Sequence, residues 1–295
     1  MKKNHILCAA FFAALLIAAS FLDLPLSMAV FSPESAAAVF LGKFGHIPGN
    51  SLFILCGLFV LFAALRLWKN PPPNSVLRPA PGAVLILGAA LVTAGGVYII
   101  FSELKNEAAI DTKISAAAAA AFLLFYGVFV FKASAKNPER FLKAGFLGAA
   151  GAVFSMAAVG ALKVIWDRRR FFTMDDPVSQ FTPWFLPASP GLFNASLDSD
   201  AYRSFPSGHS CAAAALVWIF ILPAYFPKLI KMKKYALCAF ALYLAAVMAS
   251  RIILGKHFLS DTAAAAAITL FFFFAFNFLI KKYFWIVEKT LFKTK

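Results

Sequence analysis

Apolar residues along this chain fall into eight blocks of 17 to 25 residues, separated by more polar connections: 6–22, 51–67, 83–101, 114–131, 141–165, 210–226, 235–254 and 262–280. At a rise of about 1.5 Å per residue, a helix of such length crosses the roughly 30 Å of hydrocarbon in a bilayer. The pattern predicts an all-α integral membrane protein with about eight transmembrane helices. Lys2 and Lys3 ahead of the first block resemble the start of a signal peptide, but seven further blocks make an uncleaved first helix the simpler expectation. Asn70-Pro71-Pro72-Pro73 forms a stiff connector. It predicts a boundary between an N-terminal accessory helix pair, 1–75, and a six-helix core, 76–283, followed by a basic tail, 284–295. The 23–50 segment, apolar at 36–40, is expected to lie along the outer membrane surface. Alanine runs at 116–121 and 263–267 are expected to let helices approach closely.

Composition agrees with this reading. The chain of 295 residues is 62% hydrophobic and 14% charged, more apolar than one soluble core of that length requires. The 35 phenylalanines suit lipid-facing helices and interfacial belts. A net charge of +15 invites comparison with nucleic-acid binders, yet the basic residues sit in short clusters between apolar blocks and line no solvated face, so no nucleic-acid partner is expected. Cys8, Cys56, Cys211 and Cys238 have no closely spaced partner, which argues against a disulfide framework or a thiolate metal site.

Charge also orients the chain. With the N-terminus inside, 18 of the 28 Lys and Arg fall in inner segments and every inner connection is net positive, so both termini are predicted to be cytoplasmic. Seven of the ten outer basic residues, Lys163, Arg168, Arg169, Arg170, Arg203, Arg251 and Lys256, break the rule, and all lie in or beside three polar islands on one face.

The first island is Lys163 to Arg170, a lysine and an arginine seven residues apart, which would share one face of a helix continuing out of the membrane. Arginine offers a planar fork to two phosphate oxygens and lysine a point charge, although membrane-edge cations also snorkel to headgroups. The second, Ser204 to Ser210, sets Ser207, Gly208 and His209 where a loop becomes a helix, a place suited to a small anion. The third holds Ser250, Arg251, His257 and Asp261. An aspartate four residues after a histidine is close enough to accept a proton from one ring nitrogen and make the other more nucleophilic. The connection between the first two islands carries Pro177, Pro183, Pro187 and Pro190 with Trp184 and Phe185, and reads as an interfacial loop that covers a site.

These spacings resemble the type 2 phosphatidic acid phosphatase superfamily of membrane lipid phosphatases. Its signature is Lys, six residues, Arg-Pro; then Pro-Ser-Gly-His; then Ser-Arg, five residues, His, three residues, Asp. Here these positions hold Lys163 and Arg170; Pro206, Ser207, Gly208 and His209; and Ser250, Arg251, His257 and Asp261, with Phe171 in place of the expected proline. The resemblance covers roughly 83–280. It implies that His257 attacks phosphorus to form a phosphohistidine, that Asp261 orients it, and that His209 protonates the leaving alcohol and later activates water. Lys163, Arg170, Ser207, Gly208 and Arg251 would hold the phosphoryl oxygens, with no cofactor and no metal. Arg168, Arg169 and Arg203 remain as headgroup contacts, with Arg169 also a candidate for holding an anionic substrate.

A phosphatase at the outer, periplasmic face of a bacterial cytoplasmic (inner) membrane is therefore expected, its partner a phosphorylated membrane lipid within the bilayer. By family analogy the candidates are lipid A, undecaprenyl pyrophosphate, phosphatidylglycerophosphate and phosphatidic acid. Two other readings stay open: a phosphotransferase passing the phosphoryl group to a second lipid, and a transporter or anion-binding protein without chemistry.

Overall fold

The computed structural model describes residues 2–70, 75–77, 79–187 and 201–294. Pro71 to Pro73 of the expected boundary and Pro190 of the covering loop lie outside the described residues. In chain order the α-helices are α1 (Lys2–Val30), α2 (Ala36–Phe44), α3 (Ile47–Lys69), α4 (Pro79–Ser102), α5 (Thr112–Ala133), α6 (Pro138–Trp166), α7 (Pro177–Gln180), α8 (Gly208–Ala215), α9 (Trp218–Ile221), α10 (Lys233–Ile253) and α11 (Leu259–Leu291). Two three-residue strands, β1 (Ser75–Leu77) and β2 (Phe292–Thr294), pair antiparallel. The end of the expected tail is thus helical to Leu291 and then extended.

Among the described residues, seven stretches are long and apolar enough to cross a membrane: Ile6–Val30, Ala36–Lys69, Gly82–Asn106, Thr112–Ala133, Pro138–Thr173, Lys234–Ile253 and Leu259–Tyr283. The protein is a multi-pass helical membrane protein. Val84, Leu91, Phe125 and Leu242 stand on exposed helix faces, as side chains that meet lipid do. Three sequence expectations change in detail. The first helix continues past residue 22 to Val30, through Pro25, so that Asp23 lies within it. The segment expected along the surface is helical from Ala36 and belongs to one apolar stretch with α3, broken only by a turn at Gly45-His46. The block at 210–226 yields an apolar helical piece, Gly208–Ile221, whose roughly 21 Å falls short of the hydrocarbon thickness. Pro223 has no backbone N–H to continue it, and two 3₁₀ turns, Leu222–Ala224 and Pro227–Met232, follow.

The chain divides into two compact units, the first formed by Met1–His46, Phe154–Ala214 and Ala239–Phe272, the second by Ile47–Val153, Ala215–Cys238 and Phe273–Lys295. Both cut across the expected segments 1–75, 76–283 and 284–295. In the first unit, Ala213 and Ala214 of α8 pack with Leu244 and Val247 of α10 and Ala266 of α11. A second cluster joins Val159 of α6, Cys211 and Ala265. Ala263 to Ala266 are all buried, so this alanine run serves close helix packing, whereas in 116–121 only Ala119 is buried. In the second unit, the Trp218 indole donates to the Ala144 carbonyl at 2.8 Å and lies edge-on to Phe59.

Gly255 ends α10 in the first unit with φ of +65°. That turn lets the amides of both Lys256 and His257 donate to the Arg251 carbonyl, at 3.1 and 3.2 Å, which sets His257 back beside Arg251. A Cβ here would stand 2.7 Å from Phe31 and 3.0 Å from Phe172. Gly255→Ala is expected to destabilise the protein by at least about 1–2 kcal/mol, the cost of a left-handed alanine before any clash. Thermal unfolding in detergent measures it.

Candidate active site

All eight residues selected from the sequence, together with Arg168, fall in the first unit. α6 ends at Trp166, and Asp167 turns the chain out with φ of +41°. The exiting segment then runs beside the approach to the second island: the Ser204 amide donates to the Arg168 carbonyl at 2.8 Å, and the Arg170 amide to the Ala201 carbonyl at 2.9 Å. Lys163 Nζ donates to the Arg203 carbonyl at 2.7 Å. Its Cε would lie 3.8 Å from a Cβ built on Gly208, so the lysine stem passes alongside the bare glycine that opens α8. Phe171, where the family has proline, is buried, begins a 3₁₀ turn and meets Phe31 edge-on.

The second and third islands are joined by backbone, because the Ser207 amide donates to the Asp261 carbonyl at 3.0 Å. Ser207 Oγ accepts from the Ser210 amide at 3.3 Å, which is ordinary helix capping and fixes the hydroxyl at the start of α8. Electrostatic coupling reaches His257 from Lys163, Arg251 and Arg170, and reaches His209 from Arg251, His46, His257 and Lys163. The three islands therefore share one locus of concentrated positive charge.

The imidazole of His257 is almost fully buried, and its Nδ1 lies 2.6 Å from the Ser204 carbonyl. A carbonyl only accepts, so Nδ1 carries the proton and Nε2 keeps its lone pair. Burial pushes the pKa down to about 3; the Asp261 carboxylate opposes this, and the charges of Lys163, Arg251 and Arg170 reinforce it. The ring is thus neutral at any physiological pH.

Asp261 acts less directly than the spacing implies. Its Oδ2 is 3.8 Å from His257 Nδ1, too far for a hydrogen bond. Four apart places two residues together only within a helix, and His257 precedes α11, which begins at Leu259. Asp261 instead occupies the first turn and accepts from the Phe258 amide at 2.7 Å, as the third residue of a capping box does. The same Oδ2 accepts from Ser204 Oγ at 2.5 Å. Asp261 holds Ser204, and Ser204 holds His257.

Residues 144–285 match the family model of the PAP2 superfamily. Comparison with curated proteins and with solved structures returned no match. PAP2 members are phosphatases, and in a multi-pass membrane protein the family indicates phosphatase activity on lipid-like substrates. The PAP2 segment contains all three islands.

Within it, Arg168 departs most from the sequence reading. A headgroup contact would be exposed, but this guanidinium is wholly buried. Nη1 donates to Asp261 Oδ1 at 2.7 Å and to Ser260 Oγ at 2.8 Å, and Nε donates to the Thr182 carbonyl at 2.8 Å. Nη2 donates at 3.0 Å to Asp23, a residue of α1 outside the PAP2 segment. Phe258 covers one face of the guanidinium with its ring 4.1 Å away. Asp23 falls one residue beyond the first apolar block read from the sequence, and only the extension of α1 to Val30 sets this lone carboxylate inside a membrane-length helix, where such a group is a signal of function.

His46, also outside the PAP2 segment, is buried and brings its ring centroid to 4.0 Å from that of His209. The His209 Nε2 atom is buried without a hydrogen-bond partner among the described residues, leaving it available to a bound group. A single histidine between apolar blocks carries no spacing partner, so the sequence offered no signal for His46.

Proposed function

We propose that this protein is a membrane lipid phosphatase working through a phosphohistidine on His257. The observation that carries this reading is the hydrogen bond from His257 Nδ1 to the Ser204 carbonyl, which leaves a neutral Nε2 lone pair amid Lys163, Arg170 and Arg251. Nε2 attacks phosphorus as the ester or anhydride P–O bond breaks; His209, whose pKa burial and the nearby cations lower, takes up a proton as the phosphate anion binds beside it and gives that proton to the departing oxygen. His209 then takes a proton from water, whose oxygen attacks phosphorus and breaks the P–N bond, releasing inorganic phosphate. The guanidinium groups of Arg170 and Arg251, the Lys163 ammonium, the Ser207 hydroxyl and the Gly208 amide stabilise the charge gathering on the phosphoryl oxygens, so the chemistry proposed is metal-independent.

The substrate class follows from the setting, in which the islands adjoin membrane-length helices. A phosphomonoester or pyrophosphate on a lipid fits such a place, and lipid A, undecaprenyl pyrophosphate, phosphatidylglycerophosphate and phosphatidic acid are the candidates. The bias of Lys and Arg supports a site opening on the outer side of a bacterial inner membrane, facing the periplasm, with both termini cytoplasmic.

Trapping of the phosphoenzyme tests the reading. Protein quenched in alkaline detergent after incubation with ³²P-labelled phosphatidic acid or undecaprenyl pyrophosphate in micelles containing a chelator is expected to carry base-stable label that a later acid treatment removes, and free phosphate is expected to accumulate. Label appearing only on an added acceptor lipid would identify a transferase. Absence of both label and phosphate release across the four lipid classes would overturn the proposal.

A further inference from the structure

Asp23 is 1% exposed in the interior of α1, and an isolated carboxylate in such a place is costly unless it is fully paired. Its oxygens are all engaged with one neighbourhood. Oδ1 accepts from the Ser260 amide at 2.8 Å, while Oδ2 accepts from Ser260 Oγ at 2.5 Å and from Arg168 Nη2 at 3.0 Å. Ser260 is the second residue of α11, whose first turn carries Asp261. Arg168 reaches Asp261 with its other amino nitrogen. One aspartate from a distant helix thus grips both the backbone that carries Asp261 and the cation that pairs with it.

We propose that Asp23 is a positioning residue for the reaction, holding Arg168 and the start of α11 so that Asp261, then Ser204, then His257 are fixed in turn. The inference rests on the phosphatase reading with His257 as nucleophile. Each link is on the structure: Arg168 to Asp261 at 2.7 Å, Ser204 Oγ to Asp261 at 2.5 Å, and His257 Nδ1 to the Ser204 carbonyl at 2.6 Å. The guanidinium forks between two carboxylates, which sets its plane; with one carboxylate removed it can rotate about the other. The Ser260 amide, which has no acceptor within its own helix, would at the same time exchange a carboxylate oxygen for a weaker acceptor. Attack on phosphorus needs the imidazole within a narrow range of angles, so looseness at the far end of this chain appears in the chemical step. A carboxylate that merely anchored α1 would change stability and leave turnover per folded molecule alone.

The test uses the full-length protein in detergent micelles with phosphatidic acid and undecaprenyl pyrophosphate as probes, and with rates referred to folded protein. Asp23→Asn keeps the shape and removes the charge. It is expected to lower kcat by about 10- to 100-fold, the usual cost of removing a partner behind a reacting group, with KM unchanged. Added to Asp261→Asn, it is expected to cost almost nothing further, because both variants act through the same imidazole. Should Asp23→Asn not fold, Ser260→Ala removes the hydroxyl between Asp23 and Arg168 while keeping both charges, and is expected to lower kcat roughly threefold to tenfold. A wild-type kcat in either variant, or losses from Asp23→Asn and Asp261→Asn that multiply, would overturn the inference. His257→Ala run in parallel separates the two levels. If that variant releases phosphate like the wild type, or if the wild type releases none, the phosphatase reading has failed. If it is inactive and Asp23→Asn is not impaired, only the role of Asp23 has failed.

Discussion

Replacing Arg168 with glutamine is expected to destabilise the protein by about 3–5 kcal/mol, the range for breaking a buried ion pair from one side. Two carboxylates, Asp23 and Asp261, depend on this one guanidinium, and all three groups are sealed from solvent. Without it, two like charges would face each other across Ser260 with only neutral donors, the Ser260 and Phe258 amides and the Ser260 and Ser204 hydroxyls, to offset their desolvation. Glutamine offers two N–H donors where arginine has five, and no charge. Lysine restores the charge but not the fork, so Arg168→Lys is expected to recover only part of the loss. Thermal unfolding of the detergent-solubilised variants measures this. An unfolding midpoint like that of the wild type in Arg168→Gln would contradict the buried network.

The largest effect on activity is expected from His257→Ala, a loss of at least about 1,000-fold in phosphate release from a lipid phosphate, with the protein still folded. The imidazole contributes one hydrogen bond to the Ser204 carbonyl, and Ser204 remains tied to Asp261 and to the Arg168 backbone without it. The remaining cations would still bind the phosphoryl group. Substrate affinity is therefore expected to survive while kcat collapses, and acid-labile phosphoenzyme is expected to vanish. Phosphate release in micelles, paired with a binding measurement, separates those effects. Turnover near the wild-type rate would remove His257 from the role of nucleophile.

Much of the protein's plan could be read from local pattern. Apolar blocks of membrane length report helices directly, since an unsatisfied backbone in lipid has no other economical solution than the helix. Lys163, Arg170, Ser207, Gly208, His209, Arg251, His257 and Asp261 stood out because each is polar at the edge of an apolar block and spaced in a recognisable way. Where spacing was trusted for geometry it misled: His257 and Asp261 are four apart, yet a helix start falls between them and a serine carbonyl intervenes. The block at 210–226 looked continuous because composition is blind to the proline-bounded end of Gly208–Ile221.

By itself, the sequence determined that this is a helical membrane protein, and its three motifs pointed to the family and to the candidate groups of the proposed reaction. Both are properties of residue type and short-range order, which survive without any knowledge of packing. Tertiary structure alone decided that Asp23 and Arg168, 145 positions apart, are one buried ion pair, that the His46 ring lies tilted against that of His209, and that Ser204 mediates between Asp261 and His257. Those are choices of burial and distance. A charge reads the same in sequence whether it faces a headgroup or a carboxylate, and only the packing of α1 and the chain beyond α6 against the start of α11 tells which.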